Sequence, residues 1–369
     1  MKIAFTAPMK PLDHPVPSGD RTMGRLIVKA LEEAGHDVRI ASSFRSWSMD
    51  GGEEAQTLLR EQALAEAARI SQIWDNEGYR PDVFLTYHLY HKAPDWIGPA
   101  LADRFNLPYA IVEASRAPKR QAGDWAFGFA EADKALARAD MVAAIHNADA
   151  ECLEAVVEGE RLRVLLPFID SAPFEVAASQ PKPLAAPPLK LLTVGMMRPG
   201  DKTRSYEVLA RALQDLTDLP FQLTIVGDGD NRPDILKLFP PERITWLGAR
   251  PIEELPALYA THDLFVWPAI REAFGLVFLE AQAAGLGVVA GDAFGVPDIV
   301  RDGETGLLSP EGDAAALGEN LRAVLNAPAR AEQLGHAARL HIAQHHRLQA
   351  GSQRLAAFLT SAITNHQAR

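Results

Sequence analysis

Short apolar runs alternate with longer amphipathic stretches along this chain, and the alternation stops at a proline-rich break and then starts again. The first set of runs is Lys2–Pro8, Asp37–Ser42, Asp82–His88, Tyr109–Ser115, Met141–His146 and Arg163–Ile169. Most are too short for helices and nearly continuous in apolar residues, the pattern of strands buried on both faces. Between them, Thr22–Ala34 sets Met23, Leu26, Ile27, Ala30 and Leu31 on one face and stops at Gly35, and Gln56–Trp74 is long and alanine-rich. These stretches read as helices. Strand then helix, repeated, predicts a parallel sheet covered on both sides.

The break is Pro181–Pro188 (PKPLAAPP), which suits neither a helix nor an inner strand. Beyond it the runs are Leu189–Gly195, Phe221–Gly227, Ile244–Gly248, Leu264–Pro268, Gly287–Gly291 and Thr305–Ser309. The fold expected is α/β, with two doubly wound domains in tandem. Residues 1–175 form the first, 176–188 a linker and 189–345 the second. Residues 346–369 form a terminal helix, amphipathic over Gln353–Ile363, that packs back toward the first domain. In open parallel sheets ligands bind beyond the carboxyl ends of the strands, so two domains facing across a cleft suit group transfer between two bound molecules.

Composition removes several classes. A formal net charge of -11 argues against general nucleic-acid binding, which needs clustered cations. The single cysteine, Cys152, allows no intrachain disulfide and fits a reducing compartment. At the start of an apparent helix it reads as a small packing residue, not a nucleophile. The start, MKIAFTAPMK, lacks the apolar core of a signal peptide, and no run reaches the roughly 18–20 apolar residues that span a bilayer. The expected location is cytoplasmic, with peripheral contact at the inner membrane face allowed.

The strongest chemical signal is Arg271–Glu280 (REAFGLVFLE). It follows the run Leu264–Pro268 and leads through Gly275 into a helix expected from Leu276. A helix N-terminus offers free N–H groups to a diphosphate, and a glycine lets a ligand approach the backbone. Glu280, set among small and apolar residues, is a costly place for an unpaired carboxylate unless it takes the hydroxyls of a ribose. Glu272, seven intervening residues earlier, is placed for the hydroxyls of a sugar.

This stretch resembles the Glu-x7-Glu motif of family 4 glycosyltransferases of the GT-B fold, two Rossmann-like domains with a cleft between them. The resemblance is strong over Leu189–Leu325 and thinner before it. It implies a nucleotide-sugar donor, a UDP- or GDP-hexose, bound by the second domain, an acceptor bound by the first, and transfer with retention of configuration. Carried over, Glu280 binds the ribose and Glu272 the donor sugar. The amides of Ala273, Phe274, Gly275 and Leu276 cradle sugar and phosphate. Arg198 and Lys202, in VGMMRPGDK, hold the leaving diphosphate. Two cations there favour the transition state. The family's arginine commonly follows the glycine directly, where this chain has Met196, so Arg198 is a shifted assignment. No cofactor or metal is implied. Arg250, in LGAR, is expected near the nucleobase, and Gly19, in PSGDRTMG, near the donor phosphate, although the usual Gly-Gly is absent.

In YAIVEAS, Glu113 stands near the position where many members carry a histidine beside the reacting centre. Arg116, Lys119 and Arg120 follow closely, so an ion pair with Glu113 is expected. His88, His91 and Arg116 are the acceptor candidates. The acceptor is a saccharide, a lipid-linked sugar or a small molecule. Ser115–Phe129 mixes cations with Trp125, Phe127 and Phe129, a composition that suits an acceptor or an anionic membrane. The rival readings are a nucleotide-sugar epimerase or phosphorylase on the same scaffold, and a non-catalytic nucleotide-sugar-binding protein.

Overall fold

The apolar runs of the first half form six strands: β1 (Lys2–Thr6), β2 (Asp37–Ser42), β3 (Val83–Leu89), β4 (Tyr109–Ala114), β5 (Met141–Ala144) and β6 (Leu162–Val164). In the computed structural model, which describes residues 1–16, 18–180, 182–273 and 275–369, they pair in parallel in the order β2-β1-β3-β4-β5-β6. Ile3, Phe5, Val83, Phe84, Leu85, Ala110 and Ile111 are fully buried in the central strands. Each such large apolar side chain contributes about 1.5–3 kcal/mol.

The helix Gly19–Glu33 begins where Ser18 Oγ accepts the Arg21 N–H at 3.2 Å, and it buries Met23, Ile27, Ala30 and Leu31. The helix Glu53–Glu77 outruns the expected Gln56–Trp74 because its stops are Gly52 and Gly78, which take the left-handed φ values of 88° and 62°.

The second set forms β7 (Leu189–Val194), β8 (Phe221–Val226), β9 (Ile244–Trp246), β10 (Leu264–Trp267), β11 (Gly287–Asp292) and β12 (Gly306–Pro310). They are parallel, in the order β12-β11-β10-β7-β8-β9.

The chain divides into Met1–Pro167 with Leu348–Arg369, and Phe168–Arg347. The division therefore falls ahead of the 176–188 stretch read as a linker, for a packing reason that composition does not carry. The helix Ala172–Ala178 sits in the second unit, where Phe174 meets Tyr259 edge-on with ring centroids 5.7 Å apart. Arg347 also grips Glu175 with two bonds of 2.8 Å, and the Ile169 N–H donates to His346 O at 2.9 Å. The proline-rich stretch is held to the same unit by Lys182 against Asp263 at 3.5 Å and by the Ala185 N–H on Glu332 at 2.6 Å.

The terminal helix Leu348–Gln367 packs on the first sheet against Gly19–Glu33 and β5. Its far end is fastened by Asn365 Nδ2 on Asp140 O at 3.1 Å and by Arg369 Nη1 on Arg138 O at 3.1 Å. Among the described residues no helix is long and apolar enough to cross a membrane.

Candidate active site

In the second unit the chemistry collects at the carboxyl end of β10. Two non-glycine residues of the following loop, Ala269 and Arg271, take positive φ values of 61° and 50°. Such conformations cost about 1–3 kcal/mol each and persist only where the surroundings hold them. Here the holding bonds are Ile270 N–H to Ser205 Oγ (3.0 Å), Arg271 N–H to Glu311 Oε1 (2.6 Å) and Gly295 N–H to Ala273 O (2.8 Å).

The loop delivers Glu272, whose Oε2 accepts from Lys202 Nζ and, at 3.3 Å, from Trp267 Nε1. Lys202 lies in the first turn of the helix Asp201–Gln214, which starts at Gly200 with φ 91°. Arg198, on the same approach, is exposed, and its side chain makes no ion pair among the described residues. Gly275, with φ 65°, begins the helix Leu276–Ala283; a Cβ there would lie 2.9 Å from the Phe278 ring and 3.1 Å from Glu272 Cγ. Phe274 lies outside the described residues. Leu276 is buried and Ala273 exposed.

Glu280 sits in the second turn of that helix, where its carboxylate accepts from Tyr259 Oη at 2.9 Å. Burial pushes its pKa up to about 7, against the opposing pull of the Tyr259 hydrogen bond. Tyr259 went unread in the sequence: nothing local marks it, and only the topology brings it to Glu280.

The glycines of VGDGD have a structural task. A Cβ on Gly227 would fall 1.9 Å from Gly195 O, and one on Gly229 would fall 2.4 Å from Met197 O. The loops after β7 and β8 touch backbone to backbone, through Met197 N–H to Asp228 O (2.9 Å) and Asn231 N–H to Met197 O (3.0 Å). Arg250 is exposed and faces Glu254 at 3.5 Å.

In the first unit the register of β3 and β4 pairs Tyr87 with Val112 and Leu89 with Ala114, which sets His88 opposite Glu113. Both are non-glycine residues in the left-handed region, at φ 62° and 60°. His88 Nδ1 lies 3.2 Å from Asp20 and 3.4 Å from Glu113. Burial opposes the imidazolium, but Glu113 and Asp20 outweigh it and raise the His88 pKa to about 9. Burial likewise works to raise Asp20, and the His88 hydrogen bond and charge overcome it, holding that carboxyl at about 2. Glu113 is raised by burial, with His88 pulling the other way. Tyr87 Oη and Glu113 Oε2 are both buried, and the Tyr87 hydroxyl serves Glu113 as a hydrogen-bond donor that opposes the rise in its pKa.

The cation beside Glu113 is thus His88, and not one of the expected Arg116, Lys119 and Arg120. Arg116 is taken by Asp133 through two bonds of 2.9 Å and stacks over Phe129 at 4.7 Å. Asp20 was missed because its role depends on the kink at His88. The donor atoms of Asp20, His88 and Glu113 lie within 4.8 Å of one another, a spacing that metal ligands also show, whereas the sequence had suggested no such cluster. Here the imidazolium supplies the positive charge between the carboxylates. Gly19 opens the helix beside them, and a Cβ on it would meet nothing within 4 Å, so the protein itself does not demand glycine there.

Two six-stranded parallel Rossmann-like units, each with charged groups at the carboxyl ends of its strands, define the GT-B architecture. Sucrose-phosphate synthase from Thermosynechococcus elongatus superposes with a TM-score of 0.74 at 21% identity, over 98% of this chain and 99% of that one. HepE from Anabaena in complex with UDP gives 0.72 at 18% identity, over 98% and 100%.

The Glycosyl transferases group 1 family model matches residues 180–341, which lie within the second unit. Sulfoquinovosyl transferase SQD2 of Arabidopsis thaliana is 36% identical over 41% of this chain and 30% of that protein. A D-inositol 3-phosphate glycosyltransferase of Nocardia farcinica is 31% identical over 64% and 54%. The matches thus span from under a third to about half of these curated relatives' length.

Proposed function

We propose that this protein is a retaining hexosyltransferase that moves a sugar from a nucleotide-sugar donor to a hydroxyl acceptor. The observation that carries the reading is the contact of Lys202 with Glu272 at the end of β10, on a strained loop between two helix N-termini. A diphosphate entering there meets Lys202, Arg198 and the free amides of the helix Leu276–Ala283. It draws Lys202 away from Glu272, which frees that carboxylate for sugar hydroxyls. Glu280, anchored by Tyr259, takes the ribose hydroxyls. These cations and amides meet charge that grows on the leaving diphosphate, so no metal is called upon. Neither Glu272 nor Glu113 forms a covalent bond to the sugar; a departing phosphate oxygen takes the acceptor's proton on the same face. Glu113 and His88 orient the acceptor hydroxyl, with Tyr87 Oη buried beside Glu113. HepE, similar in fold and solved with UDP-glucose, supports a uridine donor. SQD2 and the inositol-phosphate enzyme, as named, support transfer of a sugar.

A thermal-shift series with UDP, GDP, ADP and their hexose conjugates tests the donor assignment. One nucleotide is expected to raise the midpoint with increasing concentration. No shift with any of them would contradict the reading.

A further inference from the structure

His91, in the turn after β3, is 2% exposed, and neither ring nitrogen has a hydrogen-bond partner among the described residues. Burying such donors and acceptors unsatisfied is costly, and a site that persists in doing so is suited to a ligand that pairs them. The ring is fixed in place. It packs on Tyr90 with centroids 3.8 Å apart and meets Trp125 edge-on at 5.4 Å. Gln56 Nε2 donates to the His91 carbonyl at 3.4 Å, and the Ser48 N–H to the Lys92 carbonyl at 2.8 Å, so the turn itself is tied down.

Three cations lie on the segments that flank this ring. Lys92 Nζ lies 4.7 Å from the centre of the Trp125 ring. Lys119 and Arg120 are exposed on the turn Pro118–Arg120, which packs against the turn Gly123–Trp125. None of the three forms an ion pair among the described residues. Arg116, a few positions earlier, is fully taken by Asp133. Burial first, and then the charges of Arg120, Lys92 and Lys119, push the His91 pKa down to about 4. The ring is therefore neutral near pH 7, with one buried N–H donor.

We propose that His91, Lys92, Lys119 and Arg120 form an anion subsite that takes the phosphate group of a phosphorylated acceptor. Several oxygens on one tetrahedral centre match three cations and a ring N–H; a single carboxylate would leave some of them unmatched. As an acceptor subsite it rests on the reading of the first unit as the acceptor-binding part. A free sugar phosphate and a lipid headgroup both carry such a group, and the chemistry of recognition is shared.

The test uses the full chain and two probes. Binding of inorganic phosphate is followed by 31P NMR titration in wild type, in Lys119→Glu/Arg120→Glu and in His91→Phe, with the UDP thermal shift recorded for each. The expected result is phosphate affinity lower by about tenfold or more in the charge-reversed variant, with the UDP shift unchanged. Equal phosphate affinity in wild type and that variant overturns the subsite, whatever His91→Phe does to stability. Phosphate binding that depends on these residues, in a protein that responds to no nucleotide, keeps the subsite and removes the transferase reading instead. Co-sedimentation with phosphatidylcholine vesicles, with and without phosphatidylglycerol, separates the sources. Binding only to the anionic vesicles, lost in the charge-reversed variant, assigns the phosphate to a lipid. Phosphate binding without vesicle binding assigns it to a free acceptor.

Discussion

The strained corner after β10 and the strained corner where β3 meets β4 are built alike and charged differently. Each bends non-glycine residues into the left-handed region at the carboxyl end of a parallel strand: Ala269 and Arg271 in one, His88 and Glu113 in the other. In the second unit one carboxylate, Glu272, is matched by one cation, Lys202, and Arg198 stands by without an ion pair among the described residues. That corner has cationic capacity to spare, which suits a diphosphate. In the first unit two carboxylates enclose one imidazolium. That corner has accepting capacity to spare, which suits a hydroxyl. The same backbone device thus presents opposite electrostatics, and under the proposed reading one corner receives the leaving group while the other positions the nucleophile.

The comparison breaks most sharply at Lys202. Lys202→Ala is expected to slow hexose transfer by about 10²–10³-fold, the size of losing one preorganised charge partner in the transition state. Steady-state release of nucleotide measures it, and circular dichroism checks that the fold is kept. Loss of a similar size on Glu113→Gln, with donor hydrolysis in water left intact, would sharpen the division into donor and acceptor corners. Loss of donor hydrolysis as well would blur it.

The second contrast is in pH. His88 has a folded pKa of about 9 against 6.5 unfolded, so its contribution is complete below pH 6.5 and is lost as pH rises toward 9. The account expects unfolding free energy to drop by on the order of 3 kcal/mol across that window, and His88→Gln to flatten the profile. Urea melts at a series of pH values read this directly.

Glu280 acts in the same sense in a lower window. Its pKa is raised from 4.5 to about 7, so burying the ionised form erodes stability between those values. Glu280→Gln is expected to make the unliganded protein more stable at pH 8 while weakening nucleotide binding by about tenfold, one lost charge-assisted hydrogen bond. Because the ribose needs the ionised carboxylate, nucleotide affinity in wild type should fall as pH drops below 7; calorimetric titration at several pH values shows whether it does. The smallest effect is expected at Arg250, exposed and facing Glu254, where Arg250→Ala should change nucleotide affinity by no more than about threefold, the scale of a surface ion pair.

Much of this was legible because buried parallel strands write themselves as short apolar runs. Strands β1 to β12 fall within one or two residues of those runs at most ends, the clearest exception being β6, which stops at Val164. Glu272 and Lys202 were legible for another reason: their motifs sit on local strand–loop–helix segments. What stayed hidden depended on contacts between distant residues. The Tyr259 hydroxyl on Glu280 spans 21 positions and two elements. Asp20 joins His88 only because that residue turns to positive φ, which no local pattern announces. Arg116 looked available and is held by Asp133 across 17 positions. The break between units was read from prolines, whereas the packing of Phe174 on Tyr259 places it earlier.

The corner built on Lys202 and Glu272 is expected to consume the donor. Its most direct test is proton NMR of UDP- and GDP-hexoses incubated with the full chain, alone and with hydroxyl acceptors, following the anomeric signal. One α-linked donor should be consumed, the first product formed should carry an α anomeric proton, and Lys202→Ala and Glu272→Ala should nearly abolish the reaction. A β-configured first product, or variants that turn over like wild type, would contradict it.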